Sequence, residues 1–351
     1  MKARFTFLCA ALLLSFPLFA REKTDVLLMR NGDRITCEIK ALDSGTLYIK
    51  VSYILTTLSV NWAEVDHLES NQLFMIKTQD GLVYSGTLST PGSPGARPAK
   101  LEIIESPSVK TTLDRGQIIQ MNETSEHFWE RFNGDIGMGF TYTKGNQSAQ
   151  YNIGSSVAYP RERWSTSARF NSNLTSNSGN TPSTRNELAF SGQHLLPWNN
   201  WFYAGFASFL QSSEQGIDRQ STFGGGIGRY IKNTSHATIT LTGGLAWQQI
   251  NYQQSIYPVP SEQVTSALVV GDVRLFYFDR TTLDIASTVL PALSDPGRVH
   301  VNFNTTYYVK LWKNLKWNIS FYGNWDNRPP LGFSGSDYGS SSGVSWTFGN
   351  R

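Results

Sequence analysis

The side chains that most often carry catalysis are dispersed along this 351-residue chain. No histidine is followed two residues later by serine, so the sequence shows no motif of a barrel hydrolase; the five histidines are His67, His127, His194, His236 and His300. Two cysteines, Cys9 and Cys37, are too few for a Cys-based metal cluster. The run 224–228, Gly-Gly-Gly-Ile-Gly, has no helix after it and favours close strand packing over phosphate binding. We therefore expect no enzyme activity, no cofactor and no metal site.

Charged residues follow a more regular pattern, at alternate positions of long apolar runs. Five positive and five negative side chains would share the inner face if the runs closed into a barrel: Arg169, Arg185, Arg274, Lys310, Lys316, Asp135, Glu187, Asp272, Asp284 and Asp326. A selective pore usually carries an excess of one sign, whereas balanced charges such as Asp272, Arg274 and Asp284 can pair and narrow the interior. His300 lies on the same face, where we expect a solvated or hydrogen-bonded residue rather than a catalytic base. A closed, salt-bridged interior and a narrow, weakly selective passage both stay open.

These charges lie on twelve alternating runs within residues 129–351. In the run 315–326, apolar side chains at odd positions alternate with mostly polar ones at even positions, the period of a strand with one apolar face. The runs begin near residues 130, 149, 163, 184, 201, 220, 237, 264, 281, 298, 315 and 337. A soluble β-sandwich also alternates, but its strands usually have about 5 to 6 residues, whereas a bilayer-spanning strand needs roughly 9 to 11. The runs predict an all-β fold with a twelve-stranded antiparallel transmembrane β-barrel over residues 126–351.

The connections between the runs predict the orientation of the barrel. Connections near residues 160–162, 196–200, 232–235, 279–280 and 313–314 are short, whereas most of the others are longer. Short turns on one side and long loops on the other are typical of outer-membrane barrels, whose short turns face the periplasm. Aromatic residues cluster beside the short turns at Trp129, Tyr159, Trp164, Trp201, Tyr230, Tyr277, Trp312 and Trp317. A second set, Tyr142, Tyr151, Trp247 and Trp325, completes two predicted interfacial girdles.

Composition and the first residues predict an exported protein. Residues 1–20 begin with Lys2 and Arg4, continue with an apolar stretch and end at Ala20, the pattern of a secretory signal peptide. No later stretch reaches the roughly 20 apolar residues of a transmembrane helix. Charged residues make up only 16% of the chain and its net charge is +3, so bulk charge does not favour binding to nucleic acid.

Residues 21–125 form a separate region with an internal repeat. The segment from Asn31 to Val65 has a glycine turn and three strand-like runs, and residues 80–118 repeat this order about 47 residues later. We expect two small, strongly bent β-meanders in the periplasm, with the Pro- and Gly-rich stretch 91–98 as a surface loop. Residues 25–122 are where we expect a periplasmic partner to bind.

The last sixty residues carry a resemblance to a known family. The segments 290–297, Leu-Pro-Ala-Leu-Ser-Asp-Pro-Gly, and 326–330, Asp-Asn-Arg-Pro-Pro, with a final glycine- and aromatic-rich strand, resemble the bacterial family called domain of unknown function 481. Its members are often labelled salt-induced outer membrane proteins. The likeness covers roughly residues 129–348 and implies a β-barrel in a Gram-negative outer membrane, without an established biochemical activity.

The C-terminal strand also resembles the signal that directs barrels to their assembly machinery. Ser341, Gly343, Trp346 and Phe348 match its polar, glycine and aromatic positions. The partners we expect are therefore the assembly machinery and outer-membrane lipids. The function we expect is structural or related to envelope stress, with a small-solute channel as the alternative and a barrel enzyme ranking last.

Overall fold

The computed structural model describes residues 23–54, 56–92, 100–123, 131–143, 148–161, 163–176, 182–253, 261–277, 280–312, 314–329 and 335–348. The signal peptide predicted over residues 1–20, the junction near residue 125, Trp129 and most of the 91–98 loop lie outside these ranges. Within them the chain is β-structure and turns, and no helix has the length and apolarity needed to cross a membrane.

The N-terminal domain, described over residues 23–123, is one nine-stranded sheet. Its strands are β1 (Asp25–Met29), β2 (Arg34–Asp43), β3 (Thr46–Lys50), β4 (Leu58–Asn61), β5 (Val65–Thr78), β6 (Val83–Ser89), β7 (Lys100–Ser106), β8 (Val109–Asp114) and β9 (Ile118–Glu123). The strands follow the order β4-β3-β2-β1-β5-β6-β7-β8, and β9 pairs with both β2 and β5. The two predicted meanders therefore merge into one sheet, because β1, β5 and β9 connect them.

The repeat in the sequence is visible in the structure as two matching 3-10 turns. Trp62–Glu64 precedes β5, and Arg115–Gln117 precedes β9 in the same way. The turns contact each other: the Trp62 Nε1 donates to the Arg115 carbonyl oxygen at 3.2 Å, and Arg115 Nη2 donates to the Ala63 oxygen at 3.3 Å. The Arg115 guanidinium also lies 5.8 Å from the centre of the Trp62 ring. Trp62 and Arg115 thus join the two copies.

The core of the N-terminal domain comes from the inward positions of these strands. Leu27, Phe74, Ile76, Ile103 and Met121 are fully buried in one cluster. Each such side chain stabilises the folded domain by about 1.5–3 kcal/mol when it is buried. This cluster can therefore hold the sheet together without a disulfide.

Residues 133–348 form a closed antiparallel barrel of twelve described strands, which confirms the predicted fold. Its strands are β10 (Asn133–Thr143), β11 (Ser148–Pro160), β12 (Trp164–Ser176), β13 (Ser183–Leu195), β14 (Trp201–Ser212), β15 (Ile217–Asn233), β16 (Ala237–Tyr252), β17 (Ser261–Tyr277), β18 (Thr281–Pro291), β19 (Val299–Trp312), β20 (Leu315–Asp326) and β21 (Ser336–Phe348). The barrel closes where β10 pairs with β21, with Gly134 opposite Phe348. Strands β15, β16 and β17 have 17, 16 and 17 residues, against 11 in β10 and β18.

The outer face of the barrel is apolar. Along β10, Ile136, Met138 and Phe140 are 56%, 66% and 58% exposed, while the residues between them face the interior, here called the lumen. Exposed rings lie at both ends of this face: Trp164, Trp201 and Trp312 at the end of the short turns, and Tyr151, Trp247 and Trp325 at the end of the long loops. These ends are called the short-turn end and the long-loop end below.

One aromatic residue assigned to the girdle from sequence lies elsewhere. Tyr230 faces the lumen, because its neighbours Arg229 and Ile231 occupy the outward positions of β15. Its hydroxyl accepts a hydrogen bond of 2.8 Å from the Gln193 amide on β13. The girdle assignment of Tyr230 is therefore wrong, since proximity to a turn does not decide which face a strand residue occupies.

We predict that Trp62→Ala destabilises the N-terminal domain by about 3–5 kcal/mol, because it removes a buried indole that connects the two repeat copies. The urea midpoint for proteolytic cleavage within residues 23–123 of the refolded full chain should fall accordingly. Tyr53→Ala, at a ring that is 80% exposed, is the control and should change stability by about 0.5 kcal/mol or less. Equal midpoints for the two variants would contradict the structural role of Trp62.

Candidate functional site

The lumen contains the charged residues singled out from the sequence, and the first pair lies near the short-turn end. Arg274 on β17 binds Asp284 on β18 through two hydrogen bonds, Nε to Oδ1 at 2.8 Å and Nη2 to Oδ2 at 3.2 Å. Asp272 accepts instead from the Thr240 hydroxyl at 3.1 Å. About half of the Arg274 side chain remains exposed inside the lumen, so water screens this ion pair.

A second group of charges spans the lumen between strands that are not neighbours. Arg185 on β13 binds Asp337 on β21 at 2.8 Å, and Glu187 lies 3.7 Å from the same guanidinium. The guanidinium also lies 5.2 Å from the centre of the Tyr322 ring on β20. Sequence reasoning identified Arg185 and Glu187 but not Asp337, because the contact depends on how the barrel closes.

The most buried charged group in the lumen was not identified from the sequence. Arg298 precedes β19, in the connection from β18, and is 6% exposed. Its Nη2 binds Asp326 Oδ2 at 2.7 Å, and its Nη1 binds Glu262 on β17. The Tyr252 hydroxyl donates to the other oxygen of Glu262 at 3.0 Å. The connection therefore folds inward and ties three strands together; this set, Arg298, Glu262, Asp326 and Tyr252, is called the Arg298 network.

His300 belongs to a neighbouring hydrogen-bonded group. Its Nε2 lies 2.8 Å from the Asn324 side-chain oxygen, and the Gln215 amide donates to that same oxygen at 3.4 Å. Gln215 comes from the short loop between β14 and β15 and is itself buried, so this loop also reaches inward. Among the described residues, no three of the His, Cys, Asp and Glu side chains are grouped so that they could hold a metal ion.

The remaining charged candidates are distributed around the inner wall. Asp135 accepts a hydrogen bond from the Ser156 hydroxyl across the β10–β11 pair. Arg169 is exposed inside the lumen. The Lys316 ammonium lies 5.9 Å from the centre of the Tyr308 ring, and Lys310 is described below with the N-terminal domain.

The glycine run in β15 leaves room for inward-pointing rings. A Cβ atom at Gly228 would lie 2.4 Å from the Phe202 ring, and one at Gly224 would lie 2.5 Å from Phe206, so any larger residue would clash. Phe206 packs against a buried cluster formed by Ala246, Leu268 and Leu290. The run therefore serves close strand packing, and the apolar cluster fills the lumen beside β14–β18.

The N-terminal domain lies across the short-turn end of the lumen. The Asn200 amide, in the β13–β14 turn, donates to the Gln79 carbonyl oxygen at 2.7 Å. The Lys77 ammonium lies 4.6 Å from the centre of the Tyr230 ring, so this inward-facing ring contacts the N-terminal domain.

The β2–β3 hairpin of this domain points at the rim of the lumen. Its Tyr48 ring lies 6.0 Å from the Lys310 ammonium of β19, and Asp43 is near enough to Arg274 to attract its positive charge. Gly45 at the hairpin tip is in contact with Ser235 of the β15–β16 turn, and a Cβ at Gly45 would lie 3.3 Å from the Ser235 carbonyl oxygen.

The four residues of the predicted assembly signal all lie on β21. Trp346 is 55% exposed on the outer face, and Phe348 occupies the same face opposite Gly134. Ser341 and Gly343 face inward, and a Cβ at Gly343 would lie 2.5 Å from the Met138 carbonyl oxygen. The signal thus lies on the strand that closes the barrel.

We predict that Arg298→Ala destabilises the folded barrel by about 3–5 kcal/mol, because Glu262 and Asp326 then face each other without the buried cation. The temperature at which the fast-migrating folded form disappears on gels should fall. Arg328→Ala is the matched control, since the Arg328–Asp295 pair is exposed and contributes about 0–1 kcal/mol. Equal shifts for both variants would show that the Arg298 network does not stabilise the barrel.

Solved barrels of several kinds are similar to this chain at low identity. The NanC porin is 12% identical with a TM-score of 0.37, and the match covers 62% of this chain and 99% of the porin. The translocator domain of autotransporter NalP from Neisseria meningitidis is 12% identical with a TM-score of 0.32, covering 62% and 87%. The outer membrane protease OmpT from Escherichia coli is 11% identical with a TM-score of 0.24, covering 64% and 99%. Similarity at this level carries no information about activity.

No curated protein matches the chain. A family model described as "Protein of unknown function, DUF481" matches residues 136–348, which is more than half of the chain and nearly the whole barrel. This chain therefore belongs to the DUF481 family.

Proposed function

We propose that this chain is a barrel of the Gram-negative outer membrane that is closed at rest and has a structural or envelope-stress role, without catalytic activity. The observation that carries the proposal is the Arg298 network, a buried group of charges that holds the inward-folded β18–β19 connection against β16, β17 and β20 at the long-loop end. A constitutive pore would keep that end wet and open.

The outer-membrane location is supported by the surface of the barrel. Each of the twelve described barrel strands has at least 11 residues, enough to cross a bilayer at a tilt, and exposed aromatic rings border the apolar face at both ends. Short turns of such barrels face the periplasm, so the N-terminal domain, which contacts those turns, would lie there too. The proposed partners are outer-membrane lipids, the assembly machinery and a periplasmic partner of residues 25–122; nucleic acid is not among them.

Closure is supported at three levels of the lumen. The Arg298 network occupies the long-loop end, the cluster around Phe206 and Leu268 fills one side of the middle, and the N-terminal domain lies across the short-turn end. Each level uses a different interaction, so the loss of one leaves the other two in place.

A gated small-solute channel is the second candidate, and a specific observation favours it. The wall formed by β11–β13 is lined by neutral polar groups that bond along the sheet, with Asn152 to Asn173 at 2.5 Å and Ser167 to Ser191 at 2.7 Å. Such a wall can remain wet beside the apolar cluster. The N-terminal domain contacts the barrel through polar groups and cation–π contacts, which water can replace.

We predict that the refolded full chain shows no steady conductance in planar bilayers. Lys77→Ala combined with Tyr230→Ala removes one contact that holds the N-terminal domain at the short-turn end. This variant should stay silent if the barrel is structural, because the other two levels of closure remain. Lys110→Ala, at an exposed lysine of β8, is the control.

The recordings separate the candidates as follows. Frequent openings of the Lys77/Tyr230 variant, absent from wild type and from Lys110→Ala, would contradict the structural role and favour the gated channel. Steady conductance of the wild type would overturn closure at rest altogether.

We predict a change of ion preference for Arg274→Ala. The substitution leaves Asp284 uncompensated in the lumen, so openings forced by high voltage should shift their reversal potential in asymmetric salt toward that of a cation-selective pore. Stability should fall only modestly, because the pair is half exposed. Arg328→Ala should leave the reversal potential unchanged. An unchanged reversal potential for Arg274→Ala would show that Arg274 and Asp284 do not line the narrowest part of the lumen.

A further inference from the structure

The outer face of the barrel has a groove near the short-turn end, with a volume of about 450 Å³. Its floor crosses β12, β13 and β14 where Thr166, Gly192 and Gly205 lie side by side. A Cβ at Gly192 would meet only the Thr166 methyl at 3.9 Å, and one at Gly205 only the Gly224 oxygen at 3.8 Å. The floor is low because these positions carry small side chains or none.

The walls of the groove are apolar and mostly aromatic. Phe132 and Tyr159 line one side, with ring centres 4.9 Å apart, and Phe190, which is 44% exposed, lines the other. Tyr159 and Phe190 occupy outward positions of their strands and Phe132 directly precedes β10, so the groove opens to the surroundings of the barrel and not to the lumen. Its volume lies within the roughly 300–1,000 Å³ of small-molecule sites.

Positive charge lies at the end of the groove nearest the turn. The Arg161 guanidinium is 5.8 Å from the centre of the Tyr159 ring, and Arg163 is exposed in the same β11–β12 turn. Within the described part of the chain, neither arginine forms an ion pair. An apolar groove that ends in two cations is complementary to a molecule with an acyl chain and a phosphate.

The position of the groove matches one leaflet of a bilayer. Thr166 pairs with Tyr159 and Ala168 with Val157, so the groove lies two to four residues from Arg161, roughly 7 to 13 Å along the strand at about 3.3 Å per residue. Half of the hydrocarbon core is about 15 Å thick. A lipid whose phosphate contacts Arg161 could therefore lay its chain over Thr166 and Gly192.

We propose that this groove is a binding site for a phospholipid of the periplasm-facing leaflet, with one acyl chain over Gly192 and Gly205 and the phosphate at Arg161 and Arg163. The site rests on the proposed outer-membrane location and adds a specific lipid contact to it. Its occupant is a single retained lipid, distinct from the bulk lipid that contacts the rest of the apolar face.

Native mass spectrometry of the detergent-purified full chain, titrated with phosphatidylglycerol, tests the site. We expect one lipid to be retained by the wild type, and at least a tenfold weaker retention by Gly192→Leu, which fills the groove, and by Arg161→Gln. Gly243→Leu is the control for the groove, because Gly243 is outward-facing on β16 and has no atom near its Cβ position. Arg280→Gln, at an exposed arginine of another short turn, is the control for charge.

The outcomes separate this site from the proposed function. Membrane fractionation and heat-modifiable migration of each variant report the outer-membrane barrel, whatever the lipid result. If all variants fold in the outer membrane but retain phosphatidylglycerol equally, the site is overturned and the location stands. If diacylglycerol, which lacks the phosphate, is retained as tightly as phosphatidylglycerol, the contact with Arg161 and Arg163 is overturned.

Discussion

The fold depends on one constraint, that a sheet with an apolar outer face must have no free edge. Backbone N–H and C=O groups cannot find partners in hydrocarbon. The pairing of β10 with β21 satisfies these groups on the two strands that would otherwise be edges, and without it the other eleven strand pairs could not form a sheet that is stable in a membrane. Glycine at the paired positions 139 and 343 permits the close approach of these two strands. Because the diameter of a barrel grows with its number of strands, the lumen of a twelve-stranded barrel is too wide for the side chains of one wall to fill.

Segments from outside the regular strands reach both ends of the lumen. The connection ending at Arg298 and the loop carrying Gln215 fold in at one end, and the N-terminal domain lies across the other. Two arginines show how position decides the effect of a charge. Arg298 is buried, so its partners depend on it, whereas Arg274 is half exposed and acts mainly through the charge that it neutralises in the lumen.

Much of the barrel could be predicted because strand alternation is a local signal. The predicted starts of the runs differ from the observed strands by about three residues at most, as at 220 against Ile217. The contact of Arg185 with Asp337 could not be predicted, since it depends on the width and closure of the barrel. Arg298 was missed because it lies in a connection, where alternation gives no information about direction. The single N-terminal sheet depends on pairing between distant strands, which an internal repeat does not reveal.

The greater length of β15, β16 and β17 gives the barrel an uneven rim. Beyond Trp247, β16 continues for five residues, about 17 Å along the strand, and its outward side chains there are Gln249 and Asn251. This polar extension stands above the aromatic girdle on one side only. The rim is therefore highest at β15–β17, and a neighbouring molecule could approach the lumen most closely over the other nine strands, which have 11 to 14 residues.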